Sequence, residues 1–379
     1  MSGVRHLYVH LPFCSHRCGY CDFVTVVGRG GQHAAYVDAL LTELELERGV
    51  LAPHLDTIFL GGGTPTFTEA SELDRLLAAL PAAAETTVEA NPETVTPDMA
   101  ELLRRRRVTR VSLGAQSFQL RLLDVLERRA RPDDVRRAFY HLRDASFDNI
   151  SLDLLYGIPG QSPSDLERDL EEALVLEPEH LSCYELEAKA GTRFAHTHGS
   201  ELVRQHEAME DYFERVAQVL TAAGYRWYET ANFCIDPARA GGRDLRAHHN
   251  LAYWRGRDYL GLGIGAVSTV DGIRRRTTPK LAAYLSSLAR GERPARELEP
   301  LSTDVQRAER VLLGLRLDEP LPLAGLEGAL DGEGVSRMEC LGLAERRLDG
   351  GGAELLALTP RGRLLGGAVT VELLGKVPA

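Results

Sequence analysis

The chain has 379 residues, 44% of them hydrophobic, enough for one large domain plus a smaller one around a substantial core. Its 44 Lys and Arg stand against 55 Asp and Glu, a formal net charge of −11, which argues against a general binder of nucleic acid or membrane surfaces because phosphate would be repelled on average. The start, MSGVRHLYVHLPFC, holds too short an apolar run for a signal peptide and no small-residue cleavage site, and nowhere do about 18 uncharged apolar residues run together, so a cytoplasmic protein is expected.

The first predicted element is a strand, LYVHL (7–11), which leads into Cys14-Ser-His-Arg-Cys18-Gly-Tyr-Cys21. A helix over 32–48 follows, with Tyr36, Leu40, Leu41 and Leu44 on one stripe. Strand TIFLG (57–61) runs into Gly61-Gly62-Gly63-Thr64 and a helix over 71–80. Next come strand TVEAN (87–91), helix 97–106, strand RVSLGA (110–115) and helices 120–128 and 132–145. Strand NISLDLLYG (149–157), helix 163–177 and strand HLSCYEL (180–186) complete the series. Such regular alternation implies a parallel sheet with right-handed crossovers, either open or curled into a full or partial barrel. Chemistry in these folds gathers at the C-terminal strand ends, where Glu89, Gln116 and Asp153 lie.

After about residue 190 the pattern changes to a long helix over 204–223, a short strand over 226–230 and the glycine-bearing YLGLGIGAVSTV (259–270), with His196 and His198 on a loop. From about Pro300 the chain turns charged and helical, and LLALTPRGRLLG (355–366) reads as a strand, a turn and the start of a last helix. A small helical or winged-helix-like module fits; the acidic chain shows no reader helix, so nucleic acid is not an expected partner.

Three of the six cysteines, Cys14, Cys18 and Cys21, fall within eight residues, which in a reducing compartment indicates metal binding, whereas Cys183, Cys234 and Cys340 read as structural thiols. The C-x3-C-x2-C spacing lets three thiolates each ligate one iron of a cubane and leaves the fourth iron without a protein ligand. A structural zinc site completed by His10 or His16 is the alternative, but closed zinc sites need four ligands and usually pair two short elements across a spacer. Gly61-Gly62-Gly63 lets the backbone approach a ligand while presenting N–H groups, and no Gly-Lys-Ser/Thr follows to make it a phosphate loop.

Five blocks in order, YVHLPFCSHRCGYCDF (8–23), FLGGGTPT (59–66), VEANPE (88–93), SLGAQSF (112–118) and SLDLLYGIPGQS (151–162), resemble the radical S-adenosylmethionine (SAM) superfamily and its coproporphyrinogen III oxidase-like group. The resemblance implies an α/β fold: a partial (β/α)6 barrel core over 1–230, a barrel-closing region over 231–300 and a small C-terminal domain over 301–379. It also implies a [4Fe-4S] cluster on Cys14, Cys18 and Cys21. Tyr8, Tyr20, Gly62 and Glu89 would attend SAM, and Gly63, Thr64, Gln116, Arg128 and Asp153 match positions lining a second SAM pocket in the oxidase. The group's Gly-Arg-x-His reads Glu127-Arg128-Arg129-Ala130 here.

Within the group the chain is most similar to the HemW heme chaperone family. Phe23 stands where the oxidase has a fourth cysteine, 13 residues precede Cys14, and His249-Asn250-Leu251-Ala252-Tyr253-Trp254 resembles that family's HNxxYW motif. The resemblance implies heme binding through His249, delivery to membrane-bound respiratory hemoproteins, peripheral membrane contact through those partners, an unidentified electron donor and a homodimer among the expected assemblies. The competing expectation is a radical SAM enzyme, either a coproporphyrinogen III dehydrogenase or a C-methyltransferase.

Overall fold

A computed structural model describes residues 3–375 apart from 29, 188, 190, 191, 206 and 207. Its centre is a sheet of β1 (His6–Leu11), β2 (Leu55–Gly62), β3 (Ala83–Ala90), β4 (Arg110–Gln116), β5 (Ile150–Tyr156) and β6 (His180–Glu185), mutually parallel and in chain order. Runs such as Leu7, Val9, Leu60, Val88, Val111, Leu113 and Leu152 are fully buried, as strands covered on both faces require. The intervening helices are those the periodicity predicts. α1 (His33–Glu47), α2 (Ala70–Ala79), α3 (Pro97–Arg105), α4 (Leu120–Val125), α5 (Pro132–Asp144) and α6 (Pro163–Val175) cover the outside. Two start signals are plain: Thr96 accepts the Met99 N–H with Pro97 in the first turn, and Ser162 and Asp165 form a capping box around Pro163.

Three short strands extend the sheet to nine: β7 (Tyr225–Trp227) and β8 (Asn232–Ile235) add antiparallel beyond β6, and β9 (Leu260–Leu262) adds parallel to the outer side of β1. Among the described residues β7 and β9 are the two edges and do not pair, so the sheet is an open, partial (β/α)6 barrel with extensions drawn from residues 225–262. The β1 side is sealed by charge. Glu43 on α1 is fully buried and accepts the Gly263 N–H at 2.9 Å, the Tyr284 hydroxyl at 2.7 Å and the Arg296 guanidinium at 3.0 Å. Arg296 also reaches Glu47 at 3.0 Å.

The predicted helix over 204–223 is instead two helices, α7 (Arg193–Gln205) and α8 (Met209–Ala222), with 206 and 207 outside the described residues. His196 and His198 therefore lie on a helix, not a loop. His196, Thr197, His198 and Gly199 in the first half of α7 are weak helix formers, but Phe194 and Leu202 pack on Leu122, Leu126 and Leu155, and that burial overrides propensity. Helix α4 stops at Val125 rather than 128 because Glu127 adopts a left-handed φ of 55°. The strand foreseen over 226–230 is confined to Tyr225–Trp227.

A second core of Val311, Leu321, Leu326, Val335, Leu356 and Leu373 defines the C-terminal module. There, after α9 (His248–Trp254) and α10 (Leu281–Ala289) of the barrel, α11 (Thr303–Gly314) and α12 (Gly332–Cys340) accompany the antiparallel strands Leu321–Pro322, Glu354–Leu358 and Ala344–Leu348, and two short helices end the described residues. Arg226 and Asp318, 2.7 Å apart, tie it to the barrel.

Arg296→Met should strand the buried Glu43 carboxylate, whose pKa burial already raises, and cost about 3–5 kcal/mol. Urea unfolding of the two proteins measures it, and an unchanged midpoint would show that the network contributes nothing.

Candidate functional site

The short strands Phe13–Cys14 and Val26–Val27 pair in parallel and close the cysteine loop at the C-terminal end of β1. Cys14 Sγ lies 3.5 Å from Thr64 Oγ1, and Cys18 Sγ lies 3.6 Å from the Arg128 guanidinium. The Cys21 N–H donates to the Cys18 carbonyl and the Arg17 guanidinium donates to that of Cys21, which rounds the loop. All three thiols are free and half-buried, and burial raises those of Cys14, to about 11, and of Cys21. Thiols so placed are reluctant to ionise alone and need a metal or a cation to do so.

This donor set suits a cubane held by three thiolates better than a closed zinc site. His10 is engaged at both nitrogens, Nε2 donating to the Val24 carbonyl at 2.8 Å and Nδ1 accepting from Tyr8 at 3.0 Å. His16 Nε2 lies 2.8 Å from the Glu127 carbonyl, to which it donates, and 3.8 Å from Cys18 Sγ. Among the described residues no group of three or more His, Cys, Asp and Glu is gathered as a single-ion site.

Beside the loop is a cavity of about 500 Å3 at the C-terminal ends of β2 to β6. Of the residues predicted to attend SAM, Tyr20, Gly63, Glu89, Gln116 and Asp153 line it, together with Cys21. Tyr8, Gly62, Thr64 and Arg128 stand behind that wall. Tyr8 stacks on Phe59 with ring centres 6.2 Å apart, and Phe59 lines the cavity. Gly62 donates its N–H to the Glu89 carboxylate at 3.1 Å. Arg128 is buried and spends its guanidinium on Asn91 at 2.9 Å, the Gly114 carbonyl at 2.7 Å and Cys18, so it braces the cysteine loop against β4. Asn91 in turn donates to Thr64 at 2.9 Å.

The glycines are there by necessity. Gly62 has φ 111°, and a Cβ on it would strike the His10 ring. A Cβ on Gly63 would lie 2.5 Å from the Pro12 carbonyl, a backbone atom that cannot turn aside. Where the family's Gly-Arg pair has glycine, Glu127 occupies a left-handed φ of 55°, strained for a side-chain-bearing residue. Its carboxylate meets Arg193 at 2.6 Å, which helps hold the conformation.

Two acids share the cavity. Burial, then the nearby Asp153, pushes Glu89 up to about 7, while the Gly62 N–H and Arg110 act the other way. Asp153 is also raised by burial, opposed by the hydroxyls of Ser182, Ser112 and Ser151 and by Arg110. Arg110, Asn91 and Phe59 are site residues that motif reading missed. Arg110 is 2% exposed at the start of β4 and donates to His180 at 3.1 Å, with its Nε unpartnered.

The HNLAYW segment forms α9 (His248–Trp254), whose first N–H groups donate to the Glu85 carboxylate, both at 3.1 Å. His249 is 1% exposed and lines no part of the cavity. Its Nδ1 is hydrogen-bonded to Thr57 Oγ1 at 2.7 Å and its Nε2 to the Tyr253 hydroxyl at 2.8 Å. Its ring stacks on Phe59 at 5.3 Å, so this helix touches the wall of the cluster-side cavity. Burial lowers its pKa to about 3, which keeps it a neutral imidazole, the form that ligates iron. His248 is 41% exposed and faces Asp244.

The fold ionises Glu89 less readily than the unfolded chain, so its raised pKa is a cost that is absent below about pH 4.5 and grows until about pH 7. Glu89→Gln should therefore stabilise the cofactor-free protein by roughly 3 kcal/mol at pH 8 and by little near pH 4.5, read from denaturant unfolding at both values. Equal gains at both pH values would refute this. Gly63→Ala should displace the Pro12 carbonyl and with it the cysteine loop, and the fraction of iron retained after anaerobic reconstitution should fall at least severalfold; full iron loading would contradict the close-packing account.

Residues 8–173 match the radical SAM superfamily. The fold of the coproporphyrinogen III oxidase HemN from Escherichia coli superimposes with a TM-score of 0.80 at 23% identity, covering 98% of this chain and 90% of that one, which establishes the shared fold. The heme chaperone HemW of Mycobacterium tuberculosis is 38% identical over 97% of this chain and 94% of its own length. HemW of Bacillus subtilis is 33% identical over 99% of this chain and 100% of its own. Similarity at that level, spanning the cysteine loop, the glycine turn and α9 together, makes the chain a member of the HemW family of radical SAM proteins.

Proposed function

We propose that this protein binds heme and hands it to hemoproteins of the respiratory chain, working in the cytoplasm and meeting the membrane through its acceptors. The observation that carries the reading is α9: its HNLAYW sequence holds a neutral His249 against Phe59, a wall residue of the cavity beside the cysteine loop. His249 is the proposed heme ligand. Its Nε2 is bonded to the Tyr253 hydroxyl, so ligation would exchange that hydroxyl for iron. No helix among the described residues is long and apolar enough to cross a membrane. A homodimer and an electron donor of unidentified kind belong to the same proposal.

Cys14, Cys18 and Cys21 would hold a [4Fe-4S] cluster, which when bound supplies electrons and one iron open to chelation by the amino-acid end of SAM. Tyr20, Gly63, Glu89, Gln116 and Asp153 would receive SAM, with Tyr8, Gly62, Thr64 and Arg128 supporting them from behind. Glu89 and Asp153 can accept hydroxyl or ammonium donors, Tyr20 contributes an aromatic wall, and Arg128 fixes the loop by its three contacts.

The cavity and its buried acids also suit a second reading, an enzyme acting on a porphyrinogen or a related radical SAM C-methyltransferase. Phe23 speaks against the oxidase: it is 61% exposed at the loop where that enzyme has a further cysteine.

One anaerobic experiment separates the two. Reconstituted protein given SAM, a reductant and coproporphyrinogen III should release 5′-deoxyadenosine without protoporphyrinogen IX, and stoichiometric protoporphyrinogen would replace the chaperone reading with the oxidase. The same protein loaded with hemin should pass it to an apo-hemoprotein, and His249→Ala should lower the hemin retained by on the order of tenfold. Cys14→Ser, Cys18→Ser or Cys21→Ser should each lose the cluster; full iron content in any of them would sink that ligand assignment.

A further inference from the structure

A second cavity, of about 840 Å3, lies between α9 and α11, with Tyr253 in its wall. Cofactor pockets span ~300–1,000 Å3, so a macrocycle fits. Its apolar surface comes from Tyr259, Leu301, Leu313 and Leu326, with Leu312 still 40% exposed at the edge. Barrel and C-terminal module each supply one wall.

The charge in this groove runs against that of the chain. Four arginines, Arg257, Arg274, Arg307 and Arg310, face two acids, Asp258 and Glu309, in a protein of net charge −11. Arg274 is committed to Glu309, with both contacts at 2.7 Å. Arg307 has only a 3.7 Å approach from Asp304. Arg310 is half-buried and its one hydrogen bond goes to the Trp254 carbonyl at 3.3 Å; no carboxylate among the described residues pairs with it. Burial and the like charges of Arg257 and Arg255 lower its pKa. Arg257 has no hydrogen-bond or ion-pair partner among the described residues. Crowded guanidiniums that share no counter-charge are unfavourable until an anion arrives between them.

We infer that this groove seats a flat apolar ring bearing two carboxylates, a porphyrin, with Arg257 and Arg310 receiving the carboxylates and the leucines and Tyr259 packing on the ring. The inference rests on the heme reading and gives it a location. Tyr253 belongs to the groove wall and hydrogen-bonds His249 Nε2, so the porphyrin seat is one side chain away from the proposed ligand. Guanidinium forks suit carboxylates because two N–H donors match two oxygens.

The test uses full-length reconstituted protein and three probes: hemin, hemin dimethyl ester, which lacks the carboxylates, and metal-free protoporphyrin IX, followed by absorbance and tryptophan fluorescence. Wild-type protein should bind hemin and protoporphyrin, and the ester more weakly by on the order of tenfold or more. R257Q/R310Q should weaken hemin and protoporphyrin by a similar factor while leaving the ester unchanged, because the contact it deletes is already absent. Leu312→Glu, at an exposed position that does not endanger folding, should weaken all three; circular dichroism and iron content confirm that each variant is intact. If wild type binds hemin and both variants bind it equally well, the groove is the wrong place and the heme reading stands. If wild type fails to bind hemin at all, the heme reading falls and this inference with it.

Discussion

The arrangement of the site depends on the register between β1 and β2. Tyr8 pairs with Phe59, His10 with Gly61 and Leu11 with Gly62, in a parallel ladder joining segments some fifty residues apart. Beyond its end the ladder continues as single bonds: the Gly63 N–H donates to the Leu11 carbonyl and the Thr64 N–H to that of Phe13, each at 2.8 Å. Those two bonds fix where Cys14 emerges and bring its sulfur to Thr64. A slip of one residue would turn Leu7, Val9 and Leu11 out of the core, so hydrophobic burial and cysteine placement are enforced by the same pairing. The absence of side chains at 61–63 is the local condition, since Cβ atoms there would meet Glu89, His10 and the Pro12 carbonyl.

Inside the sheet, charge is arranged on two rungs of the ladder. Glu89 on β3 is opposite Ser112 on β4, Gly114 is opposite Asp153 on β5, and Asp153 is opposite Ser182 on β6. The serines hydrogen-bond Asp153, and Arg110, one turn of the pleat lower, offsets both acids without bonding either. Between Gly114 and Gln116 the pairing is irregular, with Gln116 at φ 67°, and this bulge aims Gln116 into the cavity. At the outer edge Arg128 joins β4, Asn91 and Cys18, so the cluster loop and the acids are mechanically one unit.

Much of this was legible in the residues. The six parallel strands announce themselves as nearly continuous β-branched and leucine runs, and their helices by period and proline-marked starts, because those signals are local. What was not legible depends on partners distant in sequence. Arg110 reads as an ordinary charged residue opening a strand, and only the fold turns it inward. His249 is conspicuous in its motif, but its closure follows from Thr57, 192 residues away, and from the helix turn that brings Tyr253 onto Nε2. Helix α7 escaped notice because its composition is poor and its stability comes from α4 and β5. Tyr8, Gly62, Thr64 and Arg128 carry motif positions but do not line the cavity, and their contacts with Phe59, Glu89, Cys14 and Cys18 come from the fold.

The shared burial of Glu89 and Asp153 has a thermodynamic consequence. Near neutral pH Glu89 retains a proton for part of the time, because two adjacent anions in a dry pocket are costly. A ligand that brings an ammonium or sulfonium charge into this cavity favours the ionised carboxylate and expels that proton. Association with such a cation is then coupled to proton release, and its calorimetric heat depends on the ionisation enthalpy of the buffer, whereas a neutral occupant of the same space leaves the heat independent of buffer.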